Sequence, residues 1–171
     1  MNHRLQSVAI IAAVVIIDRI TKLYIRMRVS PWDTHAVLPG FFNIIHTENP
    51  GAAFGMFSES ASQWRSLFLI AVSVVVMALI GWILWRPARA GFADSALLRT
   101  GFALVLGGAL GNFIDRATRG TVTDFLQFFF GSYEFPSFNA ADSAITIGAG
   151  LLLLDLWRSR GKKELAANER E

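Results

Sequence analysis

Apolar and polar positions along this chain segregate into long blocks. Leu5 to Ile17 is an uncharged run of 13 residues. Asp18, Arg19 and Lys22 interrupt it, and apolar positions resume at Ile20, Leu23, Tyr24 and Ile25. Arg4 followed by an apolar stretch looks like a signal peptide, but no small-x-small cleavage pattern follows. The pattern instead predicts a membrane helix over residues 5–26 with a polar stripe. Asp18 and Lys22, four apart, share a helix face and can neutralise each other as a structural pair. Residues 29–63 hold no long apolar run and are punctuated by Pro31, Pro39, Gly40, Pro50 and Gly51. Phe41, Phe42, Ile44 and Ile45 read as a short strand. With residues 52–57 they predict a β-rich region outside the membrane, over about 34–58. Asn49-Pro50-Gly51 is a turn signal, and the Asn49 amide is also suited to holding a substrate backbone.

Ser66 to Trp85 is 20 residues without a charge. At about 1.5 Å per residue this crosses a hydrocarbon core of about 30 Å. Trp64, Trp82 and Trp85 stand near its ends as interfacial anchors. A third span is predicted over 97–114, where Gly107 and Gly111 form a small-xxx-small pair suited to close helix approach. Asn112, Asp115 and Arg116 follow at the expected helix end. They read either as an ordinary interfacial terminus or as a group orienting nearby acids. A fourth span is predicted over 143–157, and residues 164–171 read as a disordered polar tail. The fold class expected is therefore a mainly α integral membrane protein: four transmembrane helices, a small β-rich region, and a single domain over 1–171.

Composition agrees. Hydrophobic residues make up 53% of the 171 and charged residues 17%, and the mean hydropathy is +0.44. A soluble domain of this length carries more charge. There is no cysteine, so no disulfide framework or thiol nucleophile is available. His3, His35 and His46 show no ligand spacing, and no metal or cofactor is expected. The net charge of +3 is better suited to anionic lipid than to nucleic acid. Lysine and arginine placement sets the topology. Nine lie on the side of the termini and the 86–99 loop, five on the other side, and Arg19 and Lys22 within the first span. Both termini then lie in the cytoplasm, and Asn49, Asp124 and Asp142 at the outer face.

The remaining stretch, Gly120 to Ser143, places Asp124 and Asp142 among phenylalanines beside apolar spans. Asp124 is expected in a loop after the third span. Asp142 is expected at the start of the fourth, where Asn139 is a candidate cap and the helix N-terminus favours a carboxylate. If the two spans are antiparallel neighbours, these acids meet. Such a pair shares a proton, so one member activates water while the other protonates a carbonyl oxygen. The competing readings are interfacial anchors, an ion relay in a transporter or scaffold, and another intramembrane aspartyl protease. Relay acids usually lie at mid-membrane depth, and such proteases bury both aspartates within spans.

Five motifs occur in order. They are Asp18-Arg-Ile-Thr-Lys22, Asn49-Pro-Gly-Ala-Ala-Phe54, Gly107-Gly-Ala-Leu-Gly-Asn112 with Asp115-Arg116, Val122-Thr-Asp124-Phe125, and Phe138-Asn-Ala-Ala-Asp142-Ser143. In these, from about residue 10 to 158, the chain resembles the lipoprotein signal peptidase (signal peptidase II) family of bacterial membrane aspartyl proteases. The resemblance implies that Asp124 and Asp142 are catalytic. It implies that Asn49, Gly51, Asn112, Asp115, Arg116, Asn139 and Ala141 bind substrate or support that pair, and that residues 40–57 belong to an extracytoplasmic cradle. It further implies an endopeptidase of the bacterial cytoplasmic membrane, active as a monomer among membrane lipids. The enzyme would cut lipid-modified prolipoprotein substrates just before the diacylglyceryl-bearing cysteine. Pro50 and Thr123 depart from the family pattern without removing a functional group.

Overall fold

The structure is a computed structural model describing residues 3–31, 33–51, 62–85 and 95–168, with side chains described to residue 159 and not over 62–66. The predicted strand residues 52–57 and the 86–94 part of the basic loop lie outside the described residues, as does the side chain of Trp64.

The described residues form four helices and one sheet. Helix α1 is His3–Arg28, α2 Ser62–Trp85, α3 Ala96–Arg119 and α4 Ala140–Asn168; the strands are β1 Thr34–Leu38, β2 Phe42–Asn49, β3 Val122–Phe130 and β4 Tyr133–Phe138. Among the described residues, α2, α3 and α4 contain segments long and apolar enough to cross a membrane: Leu67–Trp85, Ala96–Arg119 and Ala140–Ser159. With these spans and its apolar composition, the protein is a membrane protein. The 26 residues of α1 give a length of about 39 Å, interrupted by Asp18, Arg19 and Lys22.

Helices α3 and α4 extend furthest beyond their predicted bounds. The third was expected to end at 114 but runs to Arg119, where Gly120, at φ 78°, caps it in the left-handed region and donates to Arg116 O at 3.0 Å. Asn112, Asp115 and Arg116 therefore lie within the helix. Helix α4 begins at Ala140 rather than 143 and continues through Asn168, so residues 164–168 are helical where a polar tail was expected. Its early start has a local cause. Asn139 Oδ1 accepts the Asp142 N–H at 3.0 Å, while Asp142 Oδ2 accepts the Asn139 N–H at 3.2 Å. This reciprocal cap satisfies two otherwise unpaired donors.

The sheet is antiparallel in the order β1-β2-β3-β4. The expected β region at 34–58 accounts for β1 and β2 alone. Strands β3 and β4 form a second hairpin across Gly131, at φ 65°, and Asp124 lies on strand β3 rather than in a loop. The stretch lacks apolar–polar alternation because both faces are apolar. Phe125 is buried against Ile25 of α1 and Val29 just beyond it, while Phe41, Phe42 and Phe138 each contact Phe128, with Phe42 stacked on it at 4.6 Å. Pro136 is tolerated because β4 is an edge strand.

Helices α3 and α4 pack closely through glycines. A Cβ on Gly101 would sit 2.9 Å from Gly148 O, and one on Gly108 would sit 2.4 Å from Ala141 O. Gly107 approaches Val14 and Ile11 of α1 in the same way, as the small-xxx-small pattern predicted. In α2, a Cβ on Gly81 would meet nothing within 4 Å. Gly108→Ala is therefore expected to cost about 1–3 kcal/mol by forcing α3 from α4, whereas Gly81→Ala costs nothing. Thermal unfolding of both variants in detergent checks this; equal midpoints would show that close α3–α4 contact is dispensable.

Candidate active site

Asp142 lies in the first turn of α4, at the positive end of that helix. Besides the Asn139 N–H, it accepts the Asn112 amide, Nδ2 to Oδ1, at 2.7 Å. Asp124 lies on β3 opposite Thr47 of β2. It is 2% exposed and accepts two amides: Asn49 Nδ2 to Oδ2 at 2.9 Å and Asn139 Nδ2 to Oδ1 at 2.7 Å. Asn139 thus binds both carboxylates, with its side-chain amide on Asp124 and its backbone N–H on Asp142. The Asn49 carbonyl is held in turn by the Gly51 N–H at 2.8 Å.

Burial raises the Asp124 pKa from the ordinary 3.8 to about 6, and the Asp142 charge adds to the rise. The Asn49 and Asn139 hydrogen bonds and the Lys22 charge oppose it without cancelling it.

Behind the pair lies a fully buried ionic knot. Lys22 Nζ is 2.9 Å from Asp18 Oδ2, 3.0 Å from Asp115 Oδ2 and 2.9 Å from Asn112 Oδ1. The Asn112 contact is a hydrogen bond, and the two carboxylate contacts are ion pairs. Because Lys22 takes the Asn112 oxygen, the Asn112 nitrogen must turn toward Asp142. The other Asp18 oxygen, Oδ1, accepts the Ala141 N–H at 3.1 Å and so ties α1 to the first turn of α4. Only glycine fits at 111, where a Cβ would stand 2.6 Å from Asp18 Oδ2. Asp115 is also paired with Arg19 and lies 3.6 Å from Arg26. The Arg116 guanidinium lies within electrostatic reach of Asp142, Asp124 and Asp115. Its Nε is buried without a hydrogen-bond partner among the described residues.

The structure thus brings Asp18, Lys22, Asn49, Gly51, Asn112, Asp115, Arg116, Asp124, Asn139, Ala141 and Asp142 into one region. Sequence reasoning missed Arg19 and Arg26 of the knot. Their signal was the helical spacing of Arg19, Lys22 and Arg26, at i, i+3 and i+7 along one face. It also missed Glu48, which strand alternation beside Asn49 places on the opposite sheet face.

Comparison with known proteins gives a consistent result. The family model described as Signal peptidase (SPase) II matches residues 10–158. A lipoprotein signal peptidase of Solibacter usitatus is 42% identical over 165 residues, covering 96% of each chain. One of Alteromonas mediterranea is 43% identical over 148 residues, covering 86% of this chain and 78% of that one. A bacterial membrane enzyme solved by the in meso method at 2.3 Å superposes with a TM-score of 0.79 at 32% identity, over 92% of this chain and 91% of that one. A second, solved at 1.9 Å, gives 0.75 at 33% identity, over 88% and 92%.

The Asp124 shift carries a signed consequence for stability. Because the folded pKa lies above the unfolded one, the folded state keeps its proton where the unfolded chain has lost it. Stability therefore falls as pH rises from about 4 to about 6, by at most on the order of 3 kcal/mol at about 1.4 kcal/mol per unit. In Asp124→Asn that component of the slope disappears. Unfolding midpoints across this window check it; equal slopes in both proteins would refute it.

Proposed function

The chain belongs to the signal peptidase II family, and on that premise we propose that it removes the signal peptide from diacylglyceryl-modified bacterial prolipoproteins, cutting just before the lipidated cysteine. It is a peptidase, and Asp124 and Asp142 are its catalytic residues. The observation that carries this reading is the placement of Asn139, which bonds to both carboxylates at once. The two acids are also coupled electrostatically, since the Asp142 charge adds to burial in favouring a proton on Asp124.

Burial raises the Asp124 pKa to about 6, so in the acid–base pair Asp124 is the member assigned the proton. Asp142, at the positive end of α4, takes a proton from a water molecule as that water attacks the scissile carbonyl carbon. Asp124 gives its proton to the carbonyl oxygen as the tetrahedral centre forms. Asp142 then returns its proton to the leaving nitrogen as the C–N bond breaks, and Asp124 recovers its own. No covalent intermediate, metal or cofactor enters. Asn49 and Asn112 orient the carboxylates. Arg116 lies within electrostatic reach of both aspartates, and the Gly51 N–H holds the Asn49 carbonyl. Asp115, Asn139 and Ala141 complete the support, with Asp18 and Lys22 as the structural pair.

The enzyme works as one domain in the cytoplasmic membrane of a bacterium, with α1 as a fourth span. Its buried charges favour this reading: Asp18 and Lys22 are both 0% exposed, so α1 turns them away from lipid. The nine-to-five distribution of basic residues supports cytoplasmic termini and an outer-face site. Exposed Phe41, Phe130, Tyr133 and Phe135 suit contact with membrane lipid and the substrate's acyl chains. The site draws on α1, α3, α4, β2 and β3 of a single chain, which suits a monomer. A substrate anchored by its signal helix and its acyl chains presents its scissile bond at this depth.

Asp124→Asn and Asp142→Asn are each expected to abolish cleavage of a diacylglyceryl-modified peptide while the proteins remain folded. The unmodified peptide is expected to be cut poorly even by the wild type. Turnover by either variant near the wild-type rate would remove the pair from the mechanism.

A further inference from the structure

The face of the sheet turned away from the aspartate pair carries a second polar cluster, which the mechanism above does not use. On β2, Thr47 and Asn49 share a face with Asp124. Glu48, between them, pairs in register with Thr123 and projects to the other side. There its carboxylate accepts Thr123 Oγ1 at 3.0 Å on Oε1 and Thr121 Oγ1 at 2.6 Å on Oε2. His46 Nε2 lies 3.2 Å from Oε1, and the Arg119 guanidinium lies 3.6 Å away. The other ring nitrogen of His46 bonds to Val29 O at 2.8 Å, just beyond the end of α1. The bulge in β2 between Ile44 and Thr47 aims His46 there.

Thr123 is the link to the site. It is fully buried and immediately precedes Asp124. Its hydroxyl accepts Arg26 Nη1 at 3.0 Å. A hydroxyl has a single proton to give, and here it goes to Glu48. Glu48 therefore grips the start of β3 through Thr121, just before the strand, and Thr123, within it. Burial works against the Glu48 charge, but the bonds from Thr121, His46 and Thr123 and the Arg119 charge outweigh it and hold its pKa below the ordinary glutamate value.

We propose that Glu48 is a positioning residue for Asp124: by binding Thr121 and Thr123 from the reverse face, it fixes the stretch of β3 that aims the Asp124 carboxylate at Asn49 and Asn139. It touches neither the aspartate pair nor the substrate side. This role rests on the reading of Asp124 as catalytic.

Two conservative variants, both tolerable at a position 31% exposed in its side chain, separate reach from charge. Glu48→Gln keeps the length and an acceptor for Thr123 but loses the charge. Glu48→Asp keeps the charge but is too short to hold both threonines. Positioning predicts that Glu48→Gln stays within about threefold of the wild-type kcat, while Glu48→Asp loses about tenfold or more, the scale expected from sub-ångström misplacement of a reacting group. KM for the lipid-modified peptide stays unchanged in both. The alkaline limb of the Glu48→Asp pH profile moves upward as the Asn49 and Asn139 bonds to Asp124 weaken. A plain structural role would lower the unfolding midpoint without moving that limb. Wild-type kcat in Glu48→Asp, an equal loss in both variants, or a change confined to KM overturns the proposal. Activity in Asp124→Asn would instead remove the catalytic reading. With Asp124→Asn inactive and Glu48→Asp fully active, only the positioning role falls.

Discussion

Burying carboxylates inside a protein costs several kcal/mol per charge unless each is paired, and the rest of this molecule depends on how Lys22 meets that cost. One ammonium touches Asp18, Asp115 and Asn112. These contacts join α1 to α3, and Asp18 passes the connection on to the backbone of Ala141 in α4. Three helices are thereby fixed relative to one another at the level where Asp124 and Asp142 lie. The glycines follow from the same constraint: Gly111 leaves room for the Asp18 carboxylate, and Gly108 lets α3 reach the Ala141 carbonyl. Removing one partner of such a buried group costs about 3–5 kcal/mol. The knot therefore sets geometry more than it adds net stability.

From that frame a directed set of donors reaches the surface. Lys22 orients Asn112, Asn112 donates to Asp142, and Asn139 caps α4 while binding Asp124. Each amide has its oxygen committed elsewhere, so its nitrogen has one direction left. The two acids end in unlike surroundings. Asp142 stands at a helix N-terminus, and Asp124 is enclosed on a strand where burial favours its protonated form. Unlike surroundings for neighbouring carboxylates are what an acid–base pair requires.

Much of this was legible in the sequence. The apolar blocks give the helices, Gly107 and Gly111 give the close approach, and the Asp18–Lys22 spacing gives a shared face. The motifs named in advance the residues that the fold brings together around Asp124 and Asp142. The second hairpin was not legible. Phe125 packs inward and Phe128 meets other rings, so β3 lacks the alternation that marks a half-exposed strand. The end of α3 was misjudged because Asn112 and Asp115 look like a polar terminus, although both point into the protein. Glu48 was overlooked because a charged residue beside a turn signal reads as solvated surface. Only the register opposite Thr123 reveals what it holds.

The central claim is that the aspartates act as a pair sharing one proton, with Asp124 as the protonated member. The pH dependence of kcat/KM for a diacylglyceryl-modified peptide tests it most directly, because this quantity reports the ionisations of the free enzyme. The account predicts a rate that falls on the alkaline side with a midpoint near 6, where Asp124 loses its proton. The limb in kcat should lie higher, since bound substrate excludes water from the site. A kcat/KM that stays level from about pH 5 to about pH 8 would contradict the shared proton and the division of roles built on it.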